Sequence, residues 1–206
     1  QSKKEKLITK KFIKNGYIIL KLKDKKSLNY IKNNLVNSIN NLIPKKKKNI
    51  KNLNYIHNSI KIDQLNNFRV KLIKKLNDNK NLRFHYFNLA RDCLYTLVGN
   101  ELLMQKKINL SIQFPNDDSS LLPIHSDVWS GDSPFEINLW VPFVNCYKTK
   151  SMYILPEKNK NYFHHIMRKK KIKSSLQMYK IIKKKLKWLK VNYGEVLIFN
   201  QNLPHG

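Results

Sequence analysis

The sequence predicts an α+β fold, helical in its first half and made of short strands in its second. Three observations carry this expectation. Apolar residues in the first hundred positions recur at spacings of three and four, the period of one helix face. From Lys107 onward the period shortens to two, in short runs bounded by Gly, Pro and Asn. A chain of 206 residues with 41% hydrophobic and 11% aromatic content can also form one substantial core. Helices backing a sheet or sandwich satisfy all three.

Taken in order, "LITKKFIKNGYIIL" reads as a short helix, a stop at Gly16 and a strand from Tyr17 to Leu22. Leu28, Ile31, Leu35, Ile39 and Leu42 form one apolar stripe, with Asp24 and Ser27 as candidate caps. Pro44 and the lysines at 45–48 end that helix in a solvated loop. Leu65, Phe68, Leu72 and Leu76 mark a second stripe, and "LRFHYFNLARDCLYTLVG" a third that stops at Gly99. In "KINLSIQF", Ile108, Leu110, Ile112 and Phe114 alternate with Lys107, Asn109, Ser111 and Gln113, which predicts a strand with one buried and one polar face. "PFEINLWVPF" and "SMYILP" read as further strands, and "KWLKVNYGEVLIF" as two strands turning at Gly194. Residues 157–185 read as an insertion, helical from Ser174 to Lys185. No internal repeat is present. We expect one domain over 1–206, mainly helical to 104, with a sheet core over 105–206.

The net charge is +28, yet only Arg69, Arg83, Arg91 and Arg168 of the 41 basic residues are arginine. Lys, Asn and Ile, the residues of AT-rich codons, make up a large share of the chain, so compositional drift on solvated faces accounts for most of the charge. Recognition of nucleic acid favours arginine interleaved with exposed aromatics, which argues against a nucleic-acid partner. A positive field that attracts an anionic or sugar-linked small-molecule substrate remains open. No apolar run approaches the roughly 18–20 residues of a membrane span, and "QSKKEKLITKKF" is not followed by a secretory core. With Cys93 and Cys146 the only cysteines, a reducing cytoplasmic location without a membrane partner is expected. The first residue is Gln, so we expect a trimmed chain or a fragment.

The chemistry concentrates in "LLPIHSDVW". On an extended strand, residues two apart share a face, so His125 and Asp127 converge on one point. A third ligand from a separate strand would close a triangular face on a divalent ion and leave the opposite positions open. His205, at the end of the apolar run "GEVLIFNQNLPHG" and 80 positions later, is the natural candidate. Two histidines and a carboxylate on one face is the arrangement of non-haem Fe(II) oxygenases. A capped strand end with incidental polar residues is the alternative. His57, His85, His164 and His165 fall in helical or inserted segments and read as structural or surface residues, the last two as candidates for a pocket mouth but not as ligands.

"IHSDVWSGDSPFEINLWVPFVNCYKTKSMYILP" followed by "YGEVLIFNQNLPHG" resembles the phytanoyl-CoA dioxygenase-like branch of the Fe(II)/2-oxoglutarate oxygenases. It is more closely similar to those of bacterial surface-carbohydrate and aminocyclitol clusters. The resemblance spans about 107–206, with an echo at "NGYIIL". It implies a double-stranded β-helix, a jelly-roll or cupin-like core with N-terminal helices packed on the sheet. It also implies His125, Asp127 and His205 as catalytic iron ligands, with 2-oxoglutarate and O₂ as cosubstrates. Trp140 matches a position lining the 2-oxoglutarate pocket. Gln113, on the polar face of a neighbouring strand, and Asn138, on the face of Trp140, are our own candidates for cosubstrate contacts; a satisfied core amide is the alternative for each. Ser151 and Met152 resemble a structural turn.

Relatives carry a basic residue beyond the distal histidine to pair with the far carboxylate of 2-oxoglutarate, and a last core strand. Since the chain stops at Gly206, we expect a truncated sequence. The implied reaction decarboxylates 2-oxoglutarate to succinate and CO₂ while oxidising a C–H bond of a sugar, cyclitol or related molecule. Related halogenases lack the carboxylate, so Asp127 implies hydroxylation, desaturation or ring oxidation. Trp129, Asp132 and Lys148 are candidate substrate contacts, with loop packing and solvated charge the alternative. A cupin-like metal protein without oxygenase activity, an isomerase or a sensor, is the competing expectation.

Overall fold

The structure is a computed structural model that describes residues 2–44, 53–118 and 121–206. It mixes helices with small antiparallel sheets and divides into two compact units. One comprises residues 1–21, 92–100 and 122–206, the other residues 22–91 and 101–121. Residues 1–21, with the N-terminal helix and strand, thus group with the C-terminal strands. The lysine run at 45–48 lies outside the described residues.

In the first unit, α1 (Lys3–Asn15) starts from a reciprocal capping box, Glu5 N–H to Ser2 Oγ and Ser2 N–H to Glu5 Oε2. Gly16 ends it at φ 76°, a conformation that costs other residues steric strain. A methyl group built on Gly16 would overlap the side chain of Leu203. From there β1 (Tyr17–Lys21) pairs antiparallel with β5 (Glu195–Asn200), which pairs on its other edge with β2 (Ile137–Trp140). Lying in the centre, β5 is covered on both faces, which explains the unbroken run Val196, Leu197, Ile198 and Phe199, all buried. Register places Tyr17, Phe199 and Asn138 in one row and Ile19, Leu197 and Trp140 in the next, on a shared face. That face packs with Ile154, Leu189, Val191 and Leu203.

A second pairing set faces the same core. Here β3 (Tyr153–Ile154) pairs antiparallel with β4 (Lys187–Trp188). The chain beyond β5 joins the set: Leu155 N–H donates to Pro204 O at 2.8 Å, and Tyr153 and Gly206 exchange backbone bonds of 2.9 and 3.1 Å. On its far edge His205 pairs with His125. Two helices between β3 and β4, α6 (Lys160–Lys169) and α7 (Ser175–Ile182), bury Phe163, Met178 and Ile182 with Ile124 and Leu155. The sequence locates only the second of these helices. Asn, Tyr, Phe and His in "KNYFHHIMRK" are weak helix formers, so tertiary packing of Phe163 decides the local structure.

The other unit holds α2 (Lys25–Leu42), α3 (Leu65–Asn77) and α4 (Leu82–Asn88). The predicted stripes are buried at Leu28, Ile31, Leu35 and Ile39 and at Leu65, Phe68, Leu72 and Leu76. Asp24 caps α2, accepting from the N–H and the hydroxyl of Ser27 at 2.9 and 2.6 Å. Two expectations fail. The third stripe is not one helix: α4 ends at Asn88 and α5 (Arg91–Val98) begins after a turn. Nor do residues 107–114 form a strand. The carboxamide of Asn77 accepts from Ile108 N–H at 2.8 Å and donates to Ile108 O at 2.9 Å. It thereby takes the pair of backbone bonds that a neighbouring strand would need.

Asp24→Ala is expected to destabilise the protein by about 1 kcal/mol in urea denaturation near neutral pH. Hydrogen bonds from the Ser27 hydroxyl and amide hold the Asp24 carboxyl below its ordinary 3.8, so this contribution is present above that value and is lost as acid titrates the folded carboxylate. Gly16→Ala should cost more, about 2–4 kcal/mol, from positive φ and overpacking on Leu203 together.

Candidate metal centre

Backbone pairing brings the centre together. His125 N–H donates to His205 O at 2.9 Å and His205 N–H returns the bond to His125 O at 2.8 Å. Directly opposed residues of an antiparallel pair send their side chains to one face, and the two imidazole centroids lie 4.3 Å apart. The next residue, Ser126, must point to the other face; it is fully buried and its hydroxyl donates to Gln201 O at 2.9 Å. Asp127 N–H reaches the same carbonyl at 3.3 Å, which returns the Asp127 side chain to the histidine face as the chain enters the turn Asp127–Ser130.

His125 Nε2 lies 3.4 Å from Asp127 Oδ1, and His205 Nε2 lies 3.7 Å from Asp127 Oδ2. The three ligand atoms fall within 4.8 Å of one another. Donors held about 2.1 Å from one ion stand about 3.0–3.4 Å apart, so a small contraction suffices to seat a divalent cation. Both imidazoles are oriented for that task. His125 Nδ1 lies 2.8 Å from Pro123 O and His205 Nδ1 lies 2.8 Å from Leu203 O. A carbonyl only accepts, so each Nδ1 carries a proton, and Nε2 is the atom left to bind a metal. His205 is buried and its ring meets Phe199 edge-on at 4.9 Å, while His125 and Asp127 are partly exposed.

The three groups titrate in different directions. The Asp127 hydrogen bond raises His125 above its ordinary value, against burial. Burial lowers His205. For Asp127, burial raises the pKa, but the His125 hydrogen bond, the field of His205 and the Asn138 amide together outweigh it and leave the carboxyl lowered. The Asp127 hydrogen bond favours the protonated form of His125, so a proton and a metal compete for the same Nε2. These residues fit a divalent cation.

Asn138 has a role that its sequence context did not reveal. Register places it on the predicted face of β2, but its Nδ2 donates to Asp127 Oδ2 at 2.7 Å, so it holds a candidate metal ligand. Trp140, two residues on, is partly buried against the core around Leu197 and Phe199. Gln113 is exposed in the irregular segment of the helical unit, not on a strand face. Trp129 stacks on Phe163 at 6.0 Å and borders a cavity of about 260 Å³ with Val128, His164, Leu203 and Pro204. Asp132 is exposed in the following loop, and Lys148 is exposed in a turn at φ 50°. His85 bonds Ser27 Oγ at 3.0 Å and stacks on Tyr30, His57 contacts Tyr55 and Phe114, and His164 and His165 lie exposed on α6.

Sequence reasoning missed Gln201. Its carbonyl receives Ser126 and Asp127, and its buried side chain donates to Ser133 O at 2.6 Å and to Glu136 Oε2 at 3.3 Å. Asn202 adds a bond to Pro134 O at 3.0 Å. Adjacent amides between an apolar strand and a histidine were the available signal, since buried amides require partners.

No protein-family model matches the chain, and no curated protein matches it significantly.

Asn138→Ala is expected to keep the fold but weaken divalent-cation binding by about 10–100-fold, as loss of an outer-shell partner does. Titration with Co(II), followed by absorbance, measures it.

Proposed function

We propose that the protein is a non-haem Fe(II)/2-oxoglutarate-dependent oxygenase that oxidises a sugar, cyclitol or related small molecule. The observation that carries this reading is the facial set His125, Asp127 and His205, with both Nδ1 atoms committed to backbone carbonyls. Three protein ligands on one face leave room for a chelating cosubstrate and for O₂. The resemblance of the two sequence blocks to phytanoyl-CoA dioxygenase-like enzymes supports the same reading.

The same reading assigns the chain a double-stranded β-helix, of which the small antiparallel sheets would form part. β5 runs through the β1–β5–β2 sheet, and its continuation runs between His125 and β3 in the second set. Leu197, Phe199 and Leu203 belong to the core the two sets share.

Bound Fe(II) with 2-oxoglutarate supplies the oxidising chemistry. The chain's own residues prepare the place for it. His125 and His205 would hold the ion through Nε2 and Asp127 through a carboxylate oxygen, while the Asn138 amide holds that carboxylate by its 2.7 Å hydrogen bond. Phe199 screens the buried side of His205 from water. Asp127 fills the position that halogenases leave open, which favours hydroxylation, desaturation or ring oxidation. Trp129, two residues beyond Asp127, is kept as a candidate substrate contact; the cavity it borders is not lined by the three candidate ligands themselves.

Protein purified without oxygen and loaded with Fe(II) is expected to convert 2-oxoglutarate to succinate, with turnover rising in the presence of an accepted sugar or cyclitol. Asp127→Ala should lower it at least 100-fold. One equivalent of bound metal without succinate formation across the panel would instead favour a cupin-like isomerase or sensor.

A further inference from the structure

Positive charge is unevenly distributed along the chain. Residues 157–190 hold thirteen of the 41 Lys and Arg residues but one of the 13 acidic ones, Glu157. The remaining 172 residues hold 28 basic and 12 acidic residues, so this stretch has more than twice the basic density found elsewhere. A compositional drift toward lysine raises the count everywhere and does not produce such a contrast.

The fold determines which side of this stretch is left outward. Phe163, Met178 and Ile182 turn α6 and α7 into the core. All the basic residues of the stretch except Lys160 are exposed. Among the described residues of the stretch, Lys160 alone forms an ion pair, with Glu157 at 3.0 Å. Apolar side chains lie among these charges: Leu176 is 63% exposed, Met167 41%, Trp188 40% and Tyr162 37%. Leu176 stands one helical turn from Lys180 on α7, and Lys185 Nζ sits 5.6 Å from the Tyr162 ring centroid.

We propose that this face adsorbs to an anionic phospholipid bilayer. Exposed ammonium groups gain from acidic headgroups, Trp and Tyr settle at headgroup depth, and Leu and Met enter the layer beneath. Nucleic acid fits less well, because exposed aliphatic side chains serve no purpose against bases or phosphates and Arg168 is the sole guanidinium in the stretch. The apolar sides of both helices are already spent on the core, so adsorption is electrostatic, reversible and salt-sensitive. A spanning helix is not required, and no helix among the described residues is long and apolar enough to be one.

Co-sedimentation of the full chain with vesicles tests this. Binding is expected to phosphatidylcholine containing phosphatidylserine, not to phosphatidylcholine alone, and to fall as salt rises. Reversing Lys183, Lys184 and Lys185 to Glu together should weaken binding about 100-fold. An equal reversal of Lys3, Lys10 and Lys11 on α1 should weaken it far less, and Leu176→Glu should weaken it without altering the circular dichroism spectrum. Equal losses from the two triple variants would mean that net charge, not this face, drives binding, and would overturn the proposal. So would an absence of vesicle binding, or tighter binding to single-stranded RNA than to the vesicles at the same salt.

Discussion

Two backbone hydrogen bonds between His125 and His205 organise the candidate centre. They bring residues 80 positions apart into direct opposition and place both imidazoles on one face. The rest follows from the pleat. Ser126 must turn away, and it does so onto the carbonyl of Gln201, while Asp127 must turn back. The pairing in turn needs β5 in the centre of its sheet, since the chain that leaves Asn200 has only five residues in which to reach His205. Gly16 helps set that exit: its carbonyl receives Asn200 N–H at 2.8 Å, and its missing side chain makes room for Leu203, whose carbonyl orients His205. A glycine in the first turn of the chain therefore bears on the angle of an imidazole near its last residues.

Electrostatics at the centre oppose one another in a way that favours a cation. His205 is kept neutral by burial, whereas His125 leans on the Asp127 carboxylate. Asp127 stays anionic despite partial burial because two histidines and one amide surround it. A partly exposed anion between one imidazole that burial holds toward neutral and one that can take a proton is a half-compensated arrangement. A divalent ion would compensate it more fully than a proton can, because it engages all three groups together.

Much of the centre was legible because short-range rules govern it. His-x-Asp on extended backbone places two ligands on one face by periodicity alone, and an apolar strand ending in a histidine supplies the third. The helical stripes of α2 and α3 were legible for the same reason. What escaped was settled by partners distant in sequence. Alternation at 107–114 was sound, but the Asn77 carboxamide occupies the backbone of Ile108, so the segment remains irregular. Asn138 was on the expected face of β2, yet periodicity cannot say whether an amide serves a cosubstrate or a neighbouring carboxylate; only the 2.7 Å bond to Asp127 decides. Helix α6 carries weak helix formers and exists because Phe163 has a core to enter. The bridging role of Gln201 depends on a loop more than sixty residues away.

The separation of the two histidines has a consequence for folding. An ion held by both would close a chain loop of about 80 residues, much as a covalent cross-link does. Removing that many residues' worth of freedom from the unfolded chain is worth about 4–5 kcal/mol in the chain-entropy picture. The stretch inside the loop contains β2, β3, β4 and the strongly basic segment 157–190, whose self-repulsion works against compaction. The cation would then be a staple as well as a reagent, and the segment it tethers is the one whose own charges most oppose being held together.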